Sequence, residues 1–280
     1  MVKIVTDSVS DLPFQTAKEL GITVIPLIVR FGTETYRDGV DLTADEFYRK
    51  LQKSPTLPKT SAPSSGLFAE VFDKLAEETP EILAVFLSRK FSATYDAALQ
   101  GIKLMKRKCQ VKVIDSTLAI MGQGLLVIEA AKKAAAGATV NEVADMVVEN
   151  IPRVHIRATL DTLKYLVMGG RVGKAQAWLG TMLKINPILG IKSGEAFPFA
   201  RVRSRNQAVE WLYKFAIGFT KVKAFAVEYG SCMTEATALA KRIGSVFPKV
   251  PVYISNVNPV IGTHTGPGIL SVTVLEGQGD

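Results

Sequence analysis

Through the first half of the chain, short apolar runs alternate with segments of helical period. Lys3–Thr6 predicts a strand. Asp11 is placed to cap a helix running to Leu20, with Gly21 ending it. Ile22–Arg30 is β-branched and apolar and predicts a strand. Thr43 followed by Glu46 makes a capping box opening a helix to Gln52. Leu67, Val71 and Leu75 line one face of a helix over Ser64–Glu78. Then come a buried strand (Ile82–Leu87), a helix (Ala93–Lys106), a strand (Val111–Ile114) and a strongly apolar helix (Gly122–Ala136). A second capping box, Thr139 with Glu142, opens a helix to Asn150. Strand–helix alternation implies a parallel sheet with helices on both faces.

The second half has a different rhythm. Ile156–Leu160 predicts a strand and Thr162–Met168 a helix stopped by Gly169 and Gly170. Ile188–Lys192 and Phe197–Val202 flank Ser193, Gly194 and Glu195 as a hairpin. Helices over Asn206–Phe219 and Thr234–Phe247 alternate with strands at Ala224–Glu228, Val252–Ser255 and Leu270–Leu275. The last two strands enclose a Gly-rich stretch that reads as a tight loop. This is the signature of α+β architecture. The expected fold is therefore α/β in two domains: a Rossmann-like parallel-sheet domain over residues 1–152 and an α+β domain with a mixed or antiparallel sheet over 153–280. A ligand cleft is expected at their interface. At 280 residues, 48% hydrophobic and 21% charged, the chain is long and apolar enough for two packed cores.

Charge changes the picture only when divided. Residues 151–280 hold 16 Lys and Arg against 7 Asp and Glu, a balance of +9, whereas the first 150 stand at −1. The densest run is Arg171, Lys174, Lys184, Lys192, Arg201, Arg203 and Arg205. Such a face either solubilises the protein or docks an acidic or phosphate-bearing partner. Met1–Thr6 lacks the apolar stretch of a signal peptide, and Cys109 and Cys232 stand far apart without a partner motif. A cytoplasmic protein without disulfides or integral membrane segments is expected. With only His155 and His264, and neither beside Cys or clustered carboxylates, no metal and no cofactor are expected.

Candidate chemistry gathers after the carboxyl ends of the predicted parallel strands, where open α/β sheets bind ligands. Asp7 to Asp11, Ser88 to Thr94 and Asp115–Ser116 follow strands, and Thr60–Ser61 precedes a helix. Hydroxyls beside helix N-termini either cap the helix or, by converging, receive an anion. Familiar nucleotide and hydrolase motifs fail. Gly170 to Ala175 ends like a phosphate loop, but Met168 occupies the first-glycine position and Ala175 replaces the hydroxyl. Gly122 and Gly124 lack a third glycine, since Val127 stands there, and no Gly-x-Ser-x-Gly elbow occurs. Gly262-Thr-His-Thr-Gly-Pro-Gly268 is the most unusual segment, with Thr263, His264 and Thr265 as its polar residues.

Several of these segments, in this order, resemble the DegV family of bacterial fatty-acid-binding proteins. The carriers are Thr6 to Ser8 with Ser10 to Pro13, Lys59 to Ser64, Ser92 to Tyr95, Val113 to Ser116, Leu163 to Leu166 with Gly169 to Arg171, and Gly262 to Gly268. The chain departs from the usual pattern at Ala62 (more often Gln), Ala93 (more often Gly), Arg89 (often Ser) and Asn186 (often Lys). The resemblance implies a non-catalytic subunit of a fatty acid kinase system in phospholipid metabolism. A long-chain fatty acid lies in an apolar tunnel, its carboxylate held by Thr60, Ser61, Ser92 and His264, with Thr263 and Thr94 as further candidates. It also implies a partner: a separate ATP-dependent kinase that phosphorylates the bound acid. Arg171 is the position carried over to that contact, and Arg201 and Arg203 join it from the basic run. Arg171 reads equally as a structural residue fixing the glycine turn. Two other functions compete. One is acyl transfer with Ser92 or Ser61 as nucleophile and His264 as base. The other is nucleic-acid binding by the basic half, which lacks an interleaved aromatic stacking platform.

Overall fold

The computed structural model describes residues 1–178 and 185–278, so Lys184 of the basic run lies outside it. The first half contains β1 (Lys3–Asp7), α1 (Phe14–Glu19), β2 (Thr23–Ile25), β3 (Ile28–Phe31), β4 (Glu34–Arg37), α2 (Ala44–Lys53), β5 (Lys59–Ser61) and α3 (Ser65–Leu75). It continues with β6 (Glu81–Phe86), α4 (Thr94–Leu104), β7 (Gln110–Asp115), α5 (Ile120–Ala135) and α6 (Val140–Asn150). The second half contains β8 (Val154–Thr159), α7 (Lys164–Met168), β9 (Asn186–Lys192), β10 (Glu195–Val202), α8 (Arg205–Ile217) and β11 (Val222–Tyr229). It ends with α9 (Met233–Val246), β12 (Val252–Asn256), α10 (Pro259–Thr265) and β13 (Leu270–Glu276).

The first sheet runs β2-β1-β6-β7, all parallel. Both of its faces are covered, which explains the unbroken apolar run of β6. Ile82, Ala84 and Phe86 pack with Phe68 and Phe72 of α3, while Leu83 and Val85 pack with α5 and α6. The second sheet runs β10-β9-β8-β13-β11-β12 and is antiparallel except for the β11–β12 pair. Phe225 and Val227 of β11 face α8 and α9. Ala224 and Ala226, on the opposite face, join the core that contains α5. Helix α5 is thus enclosed between the two sheets, which is why it is buried from Ile120 to Ala131, Gln123 and Glu129 included. Its N-terminus is fixed across the junction: the Met121 N–H donates to buried Glu228, which also accepts from the Ser271 and Thr273 hydroxyls. Burial pushes the Glu228 carboxyl up to about 7.

The strands divide between the sheets by sequence, but one late element crosses back. Helix α10 packs on α2, β3 and β5 of the first half. Three expectations need correction. Ile22–Arg30 is two strands, not one: Pro26, which has no N–H to donate, separates β2 on the parallel sheet from β3 in a small β4-β3-β5 sheet. Lys59–Ser61, to which the sequence pattern assigns no element, is the third strand of that sheet. Asp11 caps no helix. It sits in left-handed backbone, buried, and accepts from the main-chain and side-chain nitrogens of Asn258, while α1 begins after Pro13 without a side-chain cap. Gly262–Thr265 of the Gly-rich stretch complete α10, because Asn258 caps Ile261 and Pro259 occupies the first turn, and only Gly266–Gly268 leave the helix as a turn, with Gly266 at φ 78°. Both capping boxes form, and the hairpin turns at Ser193 and Gly194 with φ of 52° and 82°.

Candidate functional site

Between the two sheets lies a cavity of about 240 Å³. Its inner wall is apolar: Ala119 and Ile120 at the start of α5, Ile156 and Ala158 of β8, and Leu189 and Ile191 of β9. Polar groups collect on its rim. Thr60 and Ser61 come from β5, Ser92 from the turn before α4, His264 and Thr265 from α10, and Arg171 from the segment after α7.

Each rim residue is placed by identifiable local chemistry. Thr60 is held by the pairing of β5 with β3, opposite Val29. Helix α10 is seated on α2 by glycine: a Cβ at Gly262 would lie 2.7 Å from Phe47 Cε1 and from the Tyr48 hydroxyl. The Tyr48 hydroxyl donates to the Val257 carbonyl just before α10, and Asn258 is bound to Asp11. The next turn of the wall approaches as closely. A Cβ at Gly169 would sit 2.0 Å from His264 Nδ1. The imidazole is therefore wedged between Gly169 and Thr60, whose Oγ1 lies 3.0 Å from Nε2. Nδ1 is buried and has no hydrogen-bond partner among the described residues. Burial, with a smaller contribution from Arg171, pushes the His264 pKa down to about 4, so the ring is neutral at pH 7.

Arg171 fixes the same wall. Its Nη1 donates to the Gly169 carbonyl at 2.7 Å and its Nε to the Phe91 carbonyl at 3.2 Å. The first of these bonds is the glycine-turn role. The second ties the turn carrying Ser92 to the turn carrying Gly169. Ser92 Oγ lies 2.9 Å from Thr94 Oγ1 and accepts from the Thr94 N–H. On the other side of that turn, the Ser88 hydroxyl donates to Gly194 of the hairpin.

Four of the expected head-group residues, Thr60, Ser61, Ser92 and His264, thus meet at one cavity although they come from three distant segments. Thr94 and Thr263 do not line it. Thr94 is buried behind Ser92, and the Thr263 hydroxyl is spent on the Pro259 carbonyl of its own helix turn. Nor do Asp7, Asp11 or Ser116: Asp7 accepts from the Val9 and Leu87 N–H groups, and Ser116 closes a local turn. Arg171 belongs to the cavity wall. Arg201 and Arg203 are exposed, the former 4.4 Å from the Trp178 ring. Arg205 is not a docking charge, being paired with Glu235 and Asp161. The sequence reading missed Phe91, Leu166 and Ile261 of the wall, whose apolar character is shared with every core position. Among the described residues no cluster of His, Cys, Asp and Glu could hold a metal, and no helix is long and apolar enough to cross a membrane.

Comparison with known proteins identifies the family and the fold. A family model described as "Uncharacterised protein, DegV family COG1307" matches residues 1–277. A DegV domain-containing protein of Halalkalibacterium halodurans is 37% identical over 277 residues, covering 97% of each chain. Among solved structures, a fatty-acid-binding DegV family protein from Thermus thermophilus is 30% identical with a TM-score of 0.89, covering 98% of this chain and 99% of that one. A stearic-acid-binding protein from Eubacterium ventriosum is 28% identical with a TM-score of 0.90, covering 99% of this chain and 98% of that one.

Proposed function

The chain belongs to the DegV family, and we propose that it binds a long-chain fatty acid, tail in the apolar cavity and carboxylate at the rim formed by Thr60, Ser61, Ser92 and His264. The observation that carries this reading is the joining of an apolar wall to converging neutral donors in one cavity. Burying roughly 15 methylenes contributes on the order of 10 kcal/mol before binding costs. The head group adds about 1.5–3 kcal/mol per charge-assisted hydrogen bond. The tail therefore supplies affinity and the rim supplies orientation.

The imidazole takes a definite part. A buried N–H without an acceptor is rarer and costlier than a bare lone pair, so the unpartnered Nδ1 is the unprotonated nitrogen. Nε2–H then donates to Thr60 Oγ1, and the Thr60 hydroxyl proton is left to turn toward the carboxylate. His264 in this reading positions Thr60 while remaining uncharged.

A separate ATP-dependent kinase takes the presented carboxylate to an acyl phosphate. Arg171 orders the rim, and the docking charge is carried by the exposed Arg201 and Arg203. A Ser–His nucleophile is disfavoured on geometry: Ser92 is bonded to Thr94, and His264 Nδ1 lacks the orienting acceptor that such a base requires. Mass spectrometry of the organic extract of purified protein tests the carrier reading. A fatty acid in near-stoichiometric amount is expected. Absence of any fatty acid, with no change in melting temperature on adding one, rejects it. Arg201→Glu with Arg203→Glu should retain the ligand and lose kinase-dependent phosphorylation. Unchanged phosphorylation at physiological salt rejects the docking assignment.

A further inference from the structure

A second cavity, of about 390 Å³, lies beyond β9 from the first. Ile191 lines both. The partition is thin at its neighbour: a Cβ at Gly190 would lie 2.3 Å from the Ile156 carbonyl and 3.1 Å from Arg157 Nη1. The walls of this cavity are unlike those of the first. Arg157, Lys192, Thr117 and Ser193 line it, together with the Phe199 ring.

Arg157 is the unusual member. Its guanidinium lies 3.4 Å from the centroid of Phe199 and 4.9 Å from that of Phe215. One N–H is used on the Ile156 carbonyl at 2.7 Å. Among the described residues no carboxylate is within ion-pair distance of Arg157 or of Lys192. Arg205 makes the contrast: a half-buried arginine at the start of α8, it has both Glu235 and Asp161. Two carboxylates touch residues of this wall without reaching Arg157: Glu276 is engaged by the lining His155 at 3.1 Å, and Asp115 accepts from the Thr117 N–H at 2.8 Å. Burial without a compensating charge pushes the Arg157 pKa down to about 10. A desolvated cation is costly unless something pairs it. The Phe199 ring lies at stacking distance from the guanidinium, and the in-plane N–H groups not used on the Ile156 carbonyl remain to receive a carboxylate or phosphate oxygen. Thr117 and Ser193 both hold left-handed backbone, with φ of 54° and 52°. For a β-branched threonine this is a strained conformation of the kind that gathers at ligand sites.

We infer that this second cavity binds a small oxyanion, a carboxylate or a phosphate, on the edge of Arg157 with Lys192 as the second positive charge. The inference does not depend on what the first cavity holds. The test is titration of the purified full chain with sodium phosphate and, separately, sodium acetate, at ionic strength held constant with chloride, reading the melting temperature. A saturable rise with one of the two anions is expected, and the anion that saturates names the source. Arg157→Lys keeps the charge but loses the bidentate edge, and Lys192→Ala removes the second charge. Each should raise the midpoint about ten-fold or more, whereas Thr60→Val should leave it unchanged. A rise that is linear for both anions, or one with the same midpoint in Lys192→Ala and wild type, overturns the site. The Lys192 variant and the wild-type titration keep the test decisive should Arg157→Lys fail to fold.

Discussion

Gly169→Ala probes the site through a single methyl group. The new Cβ would stand 2.0 Å from His264 Nδ1 and 2.8 Å from Cε1, where van der Waals contact needs well over a further ångström. The Tyr165 carbonyl at 3.1 Å gives little room for the alanine to retreat, so the imidazole must move. Displacement on that scale breaks the 3.0 Å contact with Thr60. Overpacking costs about 1–3 kcal/mol and the lost hydrogen bond about 0.5–1.5 kcal/mol, so the variant should be destabilised by roughly 2–4 kcal/mol. Backbone strain contributes nothing, since Gly169 has φ −82° and ψ −6°, which alanine adopts freely. The assay is a double-mutant cycle in urea, with fatty-acid occupancy measured in parallel. In a His264→Ala background the obstruction is gone, and Gly169→Ala should become neutral or stabilising by about 0.4–1 kcal/mol. An equal cost of Gly169→Ala in both backgrounds would refute the wedge between Gly169 and Thr60.

Thr60→Val and Ser92→Ala should each weaken fatty-acid retention by about 1–3 kcal/mol with the fold intact, and impair presentation to the kinase more severely, because phosphoryl transfer needs an oriented oxygen. Displacement by a fluorescent fatty acid and kinase-coupled phosphorylation measure the two effects; wild-type values in both variants make these hydroxyls ordinary caps. Glu228→Gln should flatten the pH dependence of stability. The folded carboxyl is raised from 4.5 to about 7, so its contribution is greatest below pH 4.5 and falls as pH climbs to 7, by about 3 kcal/mol. Urea melts at pH 5 and 8 should differ less for the variant than for wild type, and equal differences discard the assignment. Gly66→Ala, at the second position of α3 with only Ser64 Oγ near, at 3.8 Å, should stabilise by about 0.4–1 kcal/mol, seen as a higher melting temperature.

What was legible in the sequence was what acts locally. The capping boxes at Thr43 and Thr139, the buried strand at Ile82 and the turn at Ser193–Gly194 are set by neighbours within a few residues, and each forms where expected. Where partners are distant the reading failed. Asp11 looks like a helix cap, yet its acceptor oxygen serves Asn258 on the far side of the chain. Glycines 262 and 266 look like turn formers, yet Gly262 is small so that α10 can rest on Phe47 and Tyr48. The rim residues were found through the family resemblance; their convergence depends on β5, which the sequence pattern does not assign, and on α10, whose residues from Gly262 read as a loop. The apolar wall was not separable from the core, because Ile156 and Ala158 of the cavity continue the same strand face as Val154.

The return of α10 to the first half also bears on the order in which the site comes into being. A ribosome delivers Thr60 long before His264, and at ~5–20 residues per second the interval is roughly 10–40 s. During it the nascent chain acquires the Ser92 turn and then β8 and β9 of the cavity wall, but not the imidazole that contacts Thr60. If the proposed fatty acid is met then, its carboxylate finds a rim that lacks His264. On the proposed reading, loading therefore belongs to a chain that has reached α10, and termination anywhere before Pro259 leaves the rim without His264, however well the parallel sheet has formed.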